Sequence, residues 1–231
     1  MKKNVYCISD IHNDLDSFQK MLELIEFSKY DEMYILGDIF GRGPDPFGVY
    51  KEVLKHENMI PLMGNHEFYL AKSILDGSKE TRSHSRLAEV LTEIDLIELK
   101  DWISKMPLQK SVVVNGKTYL MAHAETAENP GTKDPFFFLM GIDSNVRFLR
   151  EEVDSHFLKH GIEGCVSVIG HYPTNVIRHG MKEKSVYPNS IWSNEKGNVF
   201  AIDCGNGYRS EQLTYVRLGC LRLNDYECFY V

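Results

Sequence analysis

The chain has 231 residues, a formal net charge of −7 and a sequence pI near 5.7. Its 43% hydrophobic and 26% charged residues are ordinary for a globular protein, and the length is sufficient for a sizeable core. The acidic balance argues against a broad nucleic-acid-binding face. It does not exclude a locally positive cleft, because bound divalent cations reverse the potential around them.

The first third of the chain predicts a β-α-β-α-β arrangement. Short apolar runs at residues 5–9, 33–36 and 59–63 are typical of buried strands. Apolar residues at helical spacing predict a helix over residues 15–25, with Asn13 as its N-cap, and a second helix is expected over 47–56. Each predicted strand runs directly into a polar motif.

The remainder of the chain predicts further helices and strands around a few loops. We expect helices over 68–75, in one or two pieces between 87 and 103, and over 145–157, and a surface loop over 76–85. Strands are expected over 112–114, 119–121, 166–169, 199–202, 213–218, 220–223 and 227–231. An apolar cluster at 136–140 fits either a core segment or a cap over a site. These elements predict one domain over residues 1–231, with insertions around 76–110 and 125–163.

Neither the cysteines nor the hydropathy indicate secretion. The five cysteines are odd in number and form no C-x-x-C pair, which favours buried free thiols in a reducing compartment. We find no signal-peptide core and no apolar run as long as a membrane span. A soluble cytoplasmic protein is therefore expected; the sequence does not indicate an oligomeric state.

Polar motifs follow the predicted strand ends along the chain. They are Asp10-Ile11-His12, Gly37-Asp38, Gly64-Asn65-His66-Glu67, Ala122-His123-Ala124 and Gly170-His171. Carboxylates, imidazoles and an amide at the carboxyl ends of strands are the ligand types that hold a pair of divalent metals. Each motif alone has an ordinary structural reading: Asp10 or Asn65 as a helix cap, and His123 or His171 as a satisfied core histidine. The joint pattern predicts a two-metal phosphoesterase.

Three more residues beside these motifs suggest roles. Arg42, in a glycine-rich loop after Asp38, has a guanidinium that matches phosphate geometry. His66 could give a proton to a leaving group. Glu67 could support the metal ligands from outside or be an ordinary first-turn helix residue. The other histidines lack a strand-end placement and are expected at the surface, namely His56, His84, His156, His160 and His179.

Taken together, these motifs resemble the calcineurin-like metallophosphoesterases. The similarity is greatest to the serine/threonine phosphoprotein phosphatase branch, which includes bacterial relatives and symmetrical dinucleoside polyphosphate hydrolases. The motifs extend from residue 10 to residue 171, and residues 202–205 resemble a further family segment. The resemblance implies an α/β sandwich, in which two mixed β-sheets pack together with helices outside.

The resemblance also implies roles for individual residues. One metal would be held by Asp10, His12 and Asp38, and the other by Asp38, Asn65, His123 and His171. Arg42 would hold phosphate, and His66 would lie at the leaving oxygen. A hydroxide bridging the metals would attack phosphorus. Manganese is the expected metal, and iron or zinc also suit these ligands.

The sequence departs from the family pattern at several positions. The Asp that usually precedes the loop arginine and orients the catalytic histidine is replaced by Gly41, and Asp45 is a nearby candidate for its role. The second phosphate-binding arginine is not placed by motif; its candidates are Arg147, Arg150 and Arg178. Asn13 stands where the family usually has Gly, and Pro173 where other branches carry another histidine.

These features favour hydrolysis of phosphomonoesters, as in a serine/threonine protein phosphatase. One alternative is a symmetrical diadenosine tetraphosphate hydrolase, because the same core serves both reactions. Another is a non-catalytic protein that binds a phosphorylated ligand, for which Gly41 is the only motivation. The expected partner is a phosphorylated protein or nucleotide, and no membrane surface is indicated.

Overall fold

Two mixed five-stranded β-sheets face each other in the computed structural model, which describes residues 3–78, 81–141, 156–208 and 215–231. The strands are β1 Val5–Ile8, β2 Glu32–Ile35, β3 Met59–Pro61, β4 Gln109–Val114, β5 Lys117–Ala122, β6 Cys165–Ile169, β7 Trp192–Ser193, β8 Val199–Ala201, β9 Gly219–Arg222 and β10 Cys228–Tyr230. The first sheet has the order β10-β9-β1-β2-β3, and the second has the order β4-β5-β6-β8-β7. This architecture confirms the predicted α/β sandwich.

Helices cover the outer faces of both sheets. Their bounds are α1 Leu15–Leu24, α2 Gly48–Leu54, α3 Asn65–Asp76, α4 Arg82–Ala88, α5 Glu93–Ile103, α6 Pro135–Met140, α7 His156–His160 and α8 Thr174–Gly180. Helices α1, α2, α3 and α5 contribute apolar residues to the core on the first sheet, and α7 and α8 contribute to the core on the second. Among the described residues, none of the helices has both the length and the apolar character needed to cross a lipid bilayer.

Alternation along the strands builds two apolar layers from one sheet. In β1, Val5 and Cys7 belong to the core between the two sheets, whereas Tyr6 and Ile8 pack with the outer helices. This follows from the two-residue repeat of a strand, which points successive side chains to opposite faces. Both faces of β1 are buried, so the segment reads as a continuous apolar run.

Parallel pairing brings the polar motifs to one edge of each sheet. Strands β1, β2 and β3 run parallel to one another, as do β5, β6 and β8. The two edges meet where the backbone amide of His171, after β6, donates to the carboxylate of Asp10, after β1 (3.0 Å). The polar ends of six strands therefore surround one cleft.

Several local predictions differ from the structure. The surface loop expected over 76–85 is shorter, because α4 begins at Arg82 with Thr81 as its N-cap. Helix α1 is capped by the carboxylate of Asp14 rather than by Asn13. Within the described part of 213–218 only an isolated bridge at Arg217 forms, and β9 pairs with β10 and β1 instead.

The remaining predictions have mixed outcomes. Cys7, Cys204 and Cys220 are buried free thiols as expected, but Cys228 is exposed. Most of the helix predicted over 145–157 lies outside the described residues. The apolar cluster at 136–140 forms α6, which buries Phe138 and Leu139. The division of the chain into one domain with two insertions stays a prediction.

Candidate metal centre

All six predicted metal ligands lie in the cleft between the two sheet edges. Asp10 and His12 follow β1, Asp38 follows β2, and Asn65 begins α3 after β3. His123 follows β5 and His171 follows β6. Asp10, His12, Asp38 and His123 are each at most 4% exposed, so the site is largely shielded from water.

Asp38 lies at the centre of the cluster, with its two carboxylate oxygens facing different histidines. Its Oδ2 is 3.7 Å from the Nε2 of His12, and its Oδ1 is 3.4 Å from the Nε2 of His123. The carboxylate of Asp10 is 3.8 Å from His12 Nε2. A carboxylate placed between two ligand groups in this way can bridge two cations.

Backbone carbonyls fix which nitrogen of two histidines faces the cluster. The Nδ1 of His12 is 3.1 Å from the carbonyl oxygen of Phe40, and the Nδ1 of His123 is 2.7 Å from that of Leu36. Because a carbonyl can only accept, Nδ1 carries the proton in both rings and donates it. The lone pair of each neutral ring is therefore on Nε2, the atom that faces the carboxylates, as in metal-binding histidines.

The second half of the cluster brings three electron-rich atoms together. Asn65 Oδ1 is 2.8 Å from His123 Nε2 and 3.2 Å from His171 Nδ1, and these two nitrogens are 3.2 Å apart. Because His123 Nδ1 donates its proton to the carbonyl oxygen of Leu36, His123 Nε2 and Asn65 Oδ1 face each other as two acceptors. This arrangement fits a cation better than it fits hydrogen bonding within the group.

Burial sets the ionisation of the cluster. Burial raises the pKa of Asp10 and Asp38, and the neighbouring acids Asp203 and Glu67 add to the increase. Burial also lowers the pKa of His12 and His123, which favours the neutral rings. Neutral imidazoles beside carboxylates that repel one another form a donor set whose negative charge a pair of divalent cations would neutralise. The residues present therefore fit the metal pair that the sequence implies.

The backbone at four of these positions is in the left-handed region. The φ angles are 54° at Asp10, 53° at His12, 56° at Asp38 and 61° at His171. Residues other than glycine rarely adopt this conformation, which costs roughly 1–3 kcal/mol and concentrates at functional sites. Here the sharp turn after each strand points the side chain back into the cleft.

Glu67 braces the loop that carries Asp38. Its buried carboxylate accepts hydrogen bonds from the backbone amides of Asp38 (2.7 Å), Phe40 (3.1 Å) and Gly64 (2.9 Å). The residue is fully buried and also lies in the first turn of α3. Both readings of Glu67 from the sequence therefore describe its position: it starts the helix and supports a proposed ligand through the backbone.

His66 and Arg42 lie beside the cluster on its open side. His66 Nε2 is 3.8 Å from Asp38 Oδ2, and its ring packs edge-on against that of His12. Burial, followed by the charge of Arg42, lowers the pKa of His66 to about 4. The Arg42 guanidinium lies 4.0 Å above the ring of Tyr208, a contact that holds the loop arginine near the cleft.

The absence of a side chain at position 41 has a clear geometric reason in this structure. Gly41 has φ 143°, and a Cβ there would lie 2.5 Å from His12 Nδ1 and 2.9 Å from His66 Nδ1. The rings of His12 and His66 thus occupy the space that a side chain at position 41 would need. Asp45 does not replace the missing carboxylate, because its Oδ1 accepts from the amides of Phe47 (3.0 Å) and Gly48 (2.7 Å) at the start of α2.

Two other predictions from sequence are wrong. The Arg178 guanidinium donates to the carbonyl oxygens of Pro188, Ser190 and Ile191, so it fixes a surface segment instead of facing phosphate. His84, expected at the surface, is buried, and its Nδ1 is 2.8 Å from Ser73 Oγ. Arg147 and Arg150 lie outside the described residues.

The structure adds residues to which sequence reasoning gave no role. Asp203, after β8, is a further buried carboxylate, and burial raises its pKa to about 6. Asn206 donates to the carbonyl of Ile11 (3.0 Å), which lies between Asp10 and His12 in the chain. The signal for Asp203 was its strand-end position, shared with the other motifs; Tyr208 and Asn206 carried none.

A pocket opens from the metal cluster towards helices α3 and α4. Its volume is about 220 Å³. The residues that line it are Gly41, Arg42, Asn65, His66, Tyr69, Thr81, Arg82 and Ser83. It therefore joins the proposed proton donor and phosphate-binding arginine to a wall formed by the helices.

Comparisons with known proteins agree with this geometry. Residues 3–201 match the calcineurin-like phosphoesterase family. Symmetrical bis(5'-nucleosyl)-tetraphosphatases of Delftia acidovorans and Wigglesworthia glossinidia brevipalpis are 35% and 37% identical over 123 and 121 residues. Each match covers 52% of this chain and 43% of the relative, so the chain aligns with less than half the length of these proteins.

A solved structure supports the fold across nearly the whole chain. The metallophosphoesterase from Sphaerobacter thermophilus has a TM-score of 0.62 at 14% identity, covering 98% of this chain and 87% of that one. At this identity the similarity concerns the fold alone. Together with the sequence match over residues 3–201, it leads to one conclusion: this chain belongs to the calcineurin-like phosphoesterase family.

Proposed function

We propose that this protein hydrolyses phosphoric anhydrides and esters at a pair of divalent cations. Asp10, His12 and Asp38 would hold one cation, and Asp38, Asn65, His123 and His171 the other. The observation that carries the proposal is the central position of Asp38, whose two oxygens face His12 and His123. When bound, such a metal pair supplies an acidified water and neutralises phosphate charge. Manganese is the metal to test first; iron and zinc suit the same ligands.

The chain's own residues would bind and orient the substrate. Arg42, held over Tyr208, would pair with the non-bridging oxygens of a phosphoryl group. His66 would give a proton to the departing oxygen. A bound phosphate would favour the protonated ring of His66, because nearby negative charge opposes the effects of burial and of Arg42 on its pKa.

The substrate proposed for this site is a symmetrical dinucleoside tetraphosphate. The relatives reported above are named for cleaving such compounds, and this favours the nucleotide alternative over the phosphoprotein substrate that the sequence suggested first. A phosphomonoesterase remains the second candidate, because the same metal ligands and Arg42 serve both reactions.

Product analysis tests this proposal. Metal-stripped protein would be supplied with Mn²⁺ and diadenosine tetraphosphate, and the products separated by ion-exchange chromatography. Symmetrical cleavage gives ADP as the sole nucleotide product. Release of AMP with ATP would contradict the symmetrical cut, and turnover of phosphopeptides with none of the nucleotide would favour the phosphomonoesterase.

A further inference from the structure

The pocket beside the proposed metal ligands has a wall formed by α3 and α4. Contacts on two sides of α4 hold this wall in place. On one side, the bond between Ser73 Oγ and His84 Nδ1 (2.8 Å) joins α4 to α3 inside the protein. On the other, the Arg86 guanidinium donates to the carbonyl oxygens of Gly43 (2.6 Å) and Pro44 (2.5 Å). Helix α4 is thereby tied both to α3 and to the loop that carries Arg42. The pocket is a built feature of the fold and not a gap between loose side chains.

This wall faces the side of the cluster from which a leaving group would depart. His66 lines the pocket next to the proposed metal ligand Asn65, and Arg42 lines it from the loop. Arg82 borders the same space from α4 and is exposed, so the pocket holds two guanidinium groups from separate elements. Arg86, four residues further along α4, is instead committed to backbone carbonyls.

The pocket also offers an aromatic face. Tyr69 of α3 lines it and is 40% exposed, so part of its ring is open to a ligand. Its position one helical turn beyond His66 places it on the same side of α3. An exposed aromatic ring beside two arginines matches a ligand that has both a planar base and phosphate groups.

We propose that this pocket binds the leaving half of the substrate and that Arg82 is its second phosphate-binding arginine. Arg82 would hold the phosphate groups of a nucleoside diphosphate leaving group beside the phosphoryl group bound by Arg42, and the Tyr69 ring would contact its base. The inference rests on the proposed function, whose substrate specificity it assigns to α3 and α4.

The proposed reaction is hydrolysis of a phosphoric anhydride bond. Water contributes the oxygen that forms a new bond to phosphorus and loses a proton to solvent, and the phosphorus–oxygen bond to the leaving nucleoside diphosphate breaks. The bonding electron pair stays on the departing oxygen, which takes a proton from His66. Arg82 is a specificity residue in this scheme, since it contacts the distal phosphates of the leaving group and not the reacting atoms.

The decisive experiment compares Arg82→Ala with wild type on two substrates. For diadenosine tetraphosphate, loss of a charged hydrogen bond should raise KM by about 10- to 100-fold. For p-nitrophenyl phosphate, whose leaving group has no phosphate, kcat/KM should change less than about twofold. Lys72→Ala removes an exposed positive charge of α3 that does not line the pocket and is the matched control.

Inhibition by products gives an independent readout. With p-nitrophenyl phosphate as substrate, ADP should inhibit wild type more strongly than inorganic phosphate does, and Arg82→Ala should remove most of that difference. Tyr69→Ala should weaken inhibition by ADP about tenfold, whereas Tyr69→Phe, which keeps the ring, should leave this inhibition unchanged. Circular dichroism and metal content of each variant would show that the fold and the cluster are intact.

The outcomes separate this inference from the proposed function. If Mn²⁺-loaded wild type does not hydrolyse p-nitrophenyl phosphate, the proposed function itself is wrong. If wild type is active but ADP inhibits no better than phosphate, the pocket does not bind a nucleotide and the inference is wrong. Equal effects of Arg82→Ala and Lys72→Ala on diadenosine tetraphosphate would also contradict it.

Discussion

The cluster of proposed metal ligands and the adjoining pocket wall, which α3 and α4 form, are built in different ways. Asp10, His12, Asp38 and His123 are buried at strand ends and held by backbone carbonyls, amides and left-handed turns. Tyr69 and Arg82 are exposed residues of helices, and only the helices that carry them are tied down.

The buried proposed ligands would determine the reaction, whereas the exposed residues of the pocket wall would determine which substrate is bound. Ligand atoms that must converge within 3–4 Å need rigid support, which the ends of parallel strands provide. Groups that choose among leaving groups need to face solvent. Changes at the cluster should therefore affect all substrates, whereas changes in the wall should affect only those that reach it.

The largest effect outside the proposed metal ligands is expected at His66. His66→Asn removes the proposed proton donor, so turnover of a phosphoserine peptide, whose alkoxide leaving group needs a proton, should fall on the order of a hundredfold or more. The effect on p-nitrophenyl phosphate should be much smaller, because its leaving group departs without a proton. Steady-state kinetics on both substrates checks this, and equal losses would argue against an acid role.

A smaller loss is expected at Glu67, which acts through the Asp38 loop. Glu67→Gln keeps the shape but sets an NH₂ group against backbone amides, so metal affinity should weaken by about 10- to 100-fold. Titration of Mn²⁺ by calorimetry measures this directly. Saturating metal should restore most of the activity; an irreversible loss would point to a role in the reaction instead.

Substitution of Gly41 tests whether the loop requires a residue without a side chain at this position. Gly41→Ala places a Cβ against the rings of His12 and His66 at a φ of 143°, so the free energy of unfolding should fall by about 1–3 kcal/mol. Denaturant unfolding of the metal-free protein gives this value. Gly131→Ala, where a Cβ would meet nothing within 4 Å, is the control. An unchanged midpoint at Gly41 would show that the loop adapts.

The mildest effect is expected at Arg86, which positions Arg42 indirectly. Arg86→Ala frees the carbonyls of Gly43 and Pro44, so KM should rise by only about three- to tenfold for both diadenosine tetraphosphate and p-nitrophenyl phosphate. Metal content should not change. A rise confined to diadenosine tetraphosphate would show that Arg86 acts on α4 and not on the loop.

The sequence predicted the fold correctly where apolar runs of strand length end in polar motifs. The apolar runs ending at Asp10, Asp38 and Asn65 predicted parallel strands with polar carboxyl ends, and that arrangement is present. Residues 81–85 were harder: a polar stretch predicts a loop, but Thr81 caps a short helix there. Packing of α4 against α3 and α5 decides that outcome, and no local pattern encodes it.

Within the site, the sequence predicted which side chains gather in the cleft, but not the backbone groups that orient them. That Phe40 and Leu36 would orient His12 and His123 depends on loop conformation, which side-chain identity does not determine. Arg178 and Asp45 had suitable chemistry and instead fix local backbone. The contribution of Arg82 depended on where α4 places it.

The most direct test of the account is hydrolysis of p-nitrophenyl phosphate by metal-stripped protein with Mn²⁺ added back, beside Asp38→Asn. Because Asp38 is proposed to bridge both cations, wild type should regain activity while the variant loses metal and falls on the order of a thousandfold. Substantial turnover by Asp38→Asn with both metals still bound would contradict the bridging role at the centre of this site.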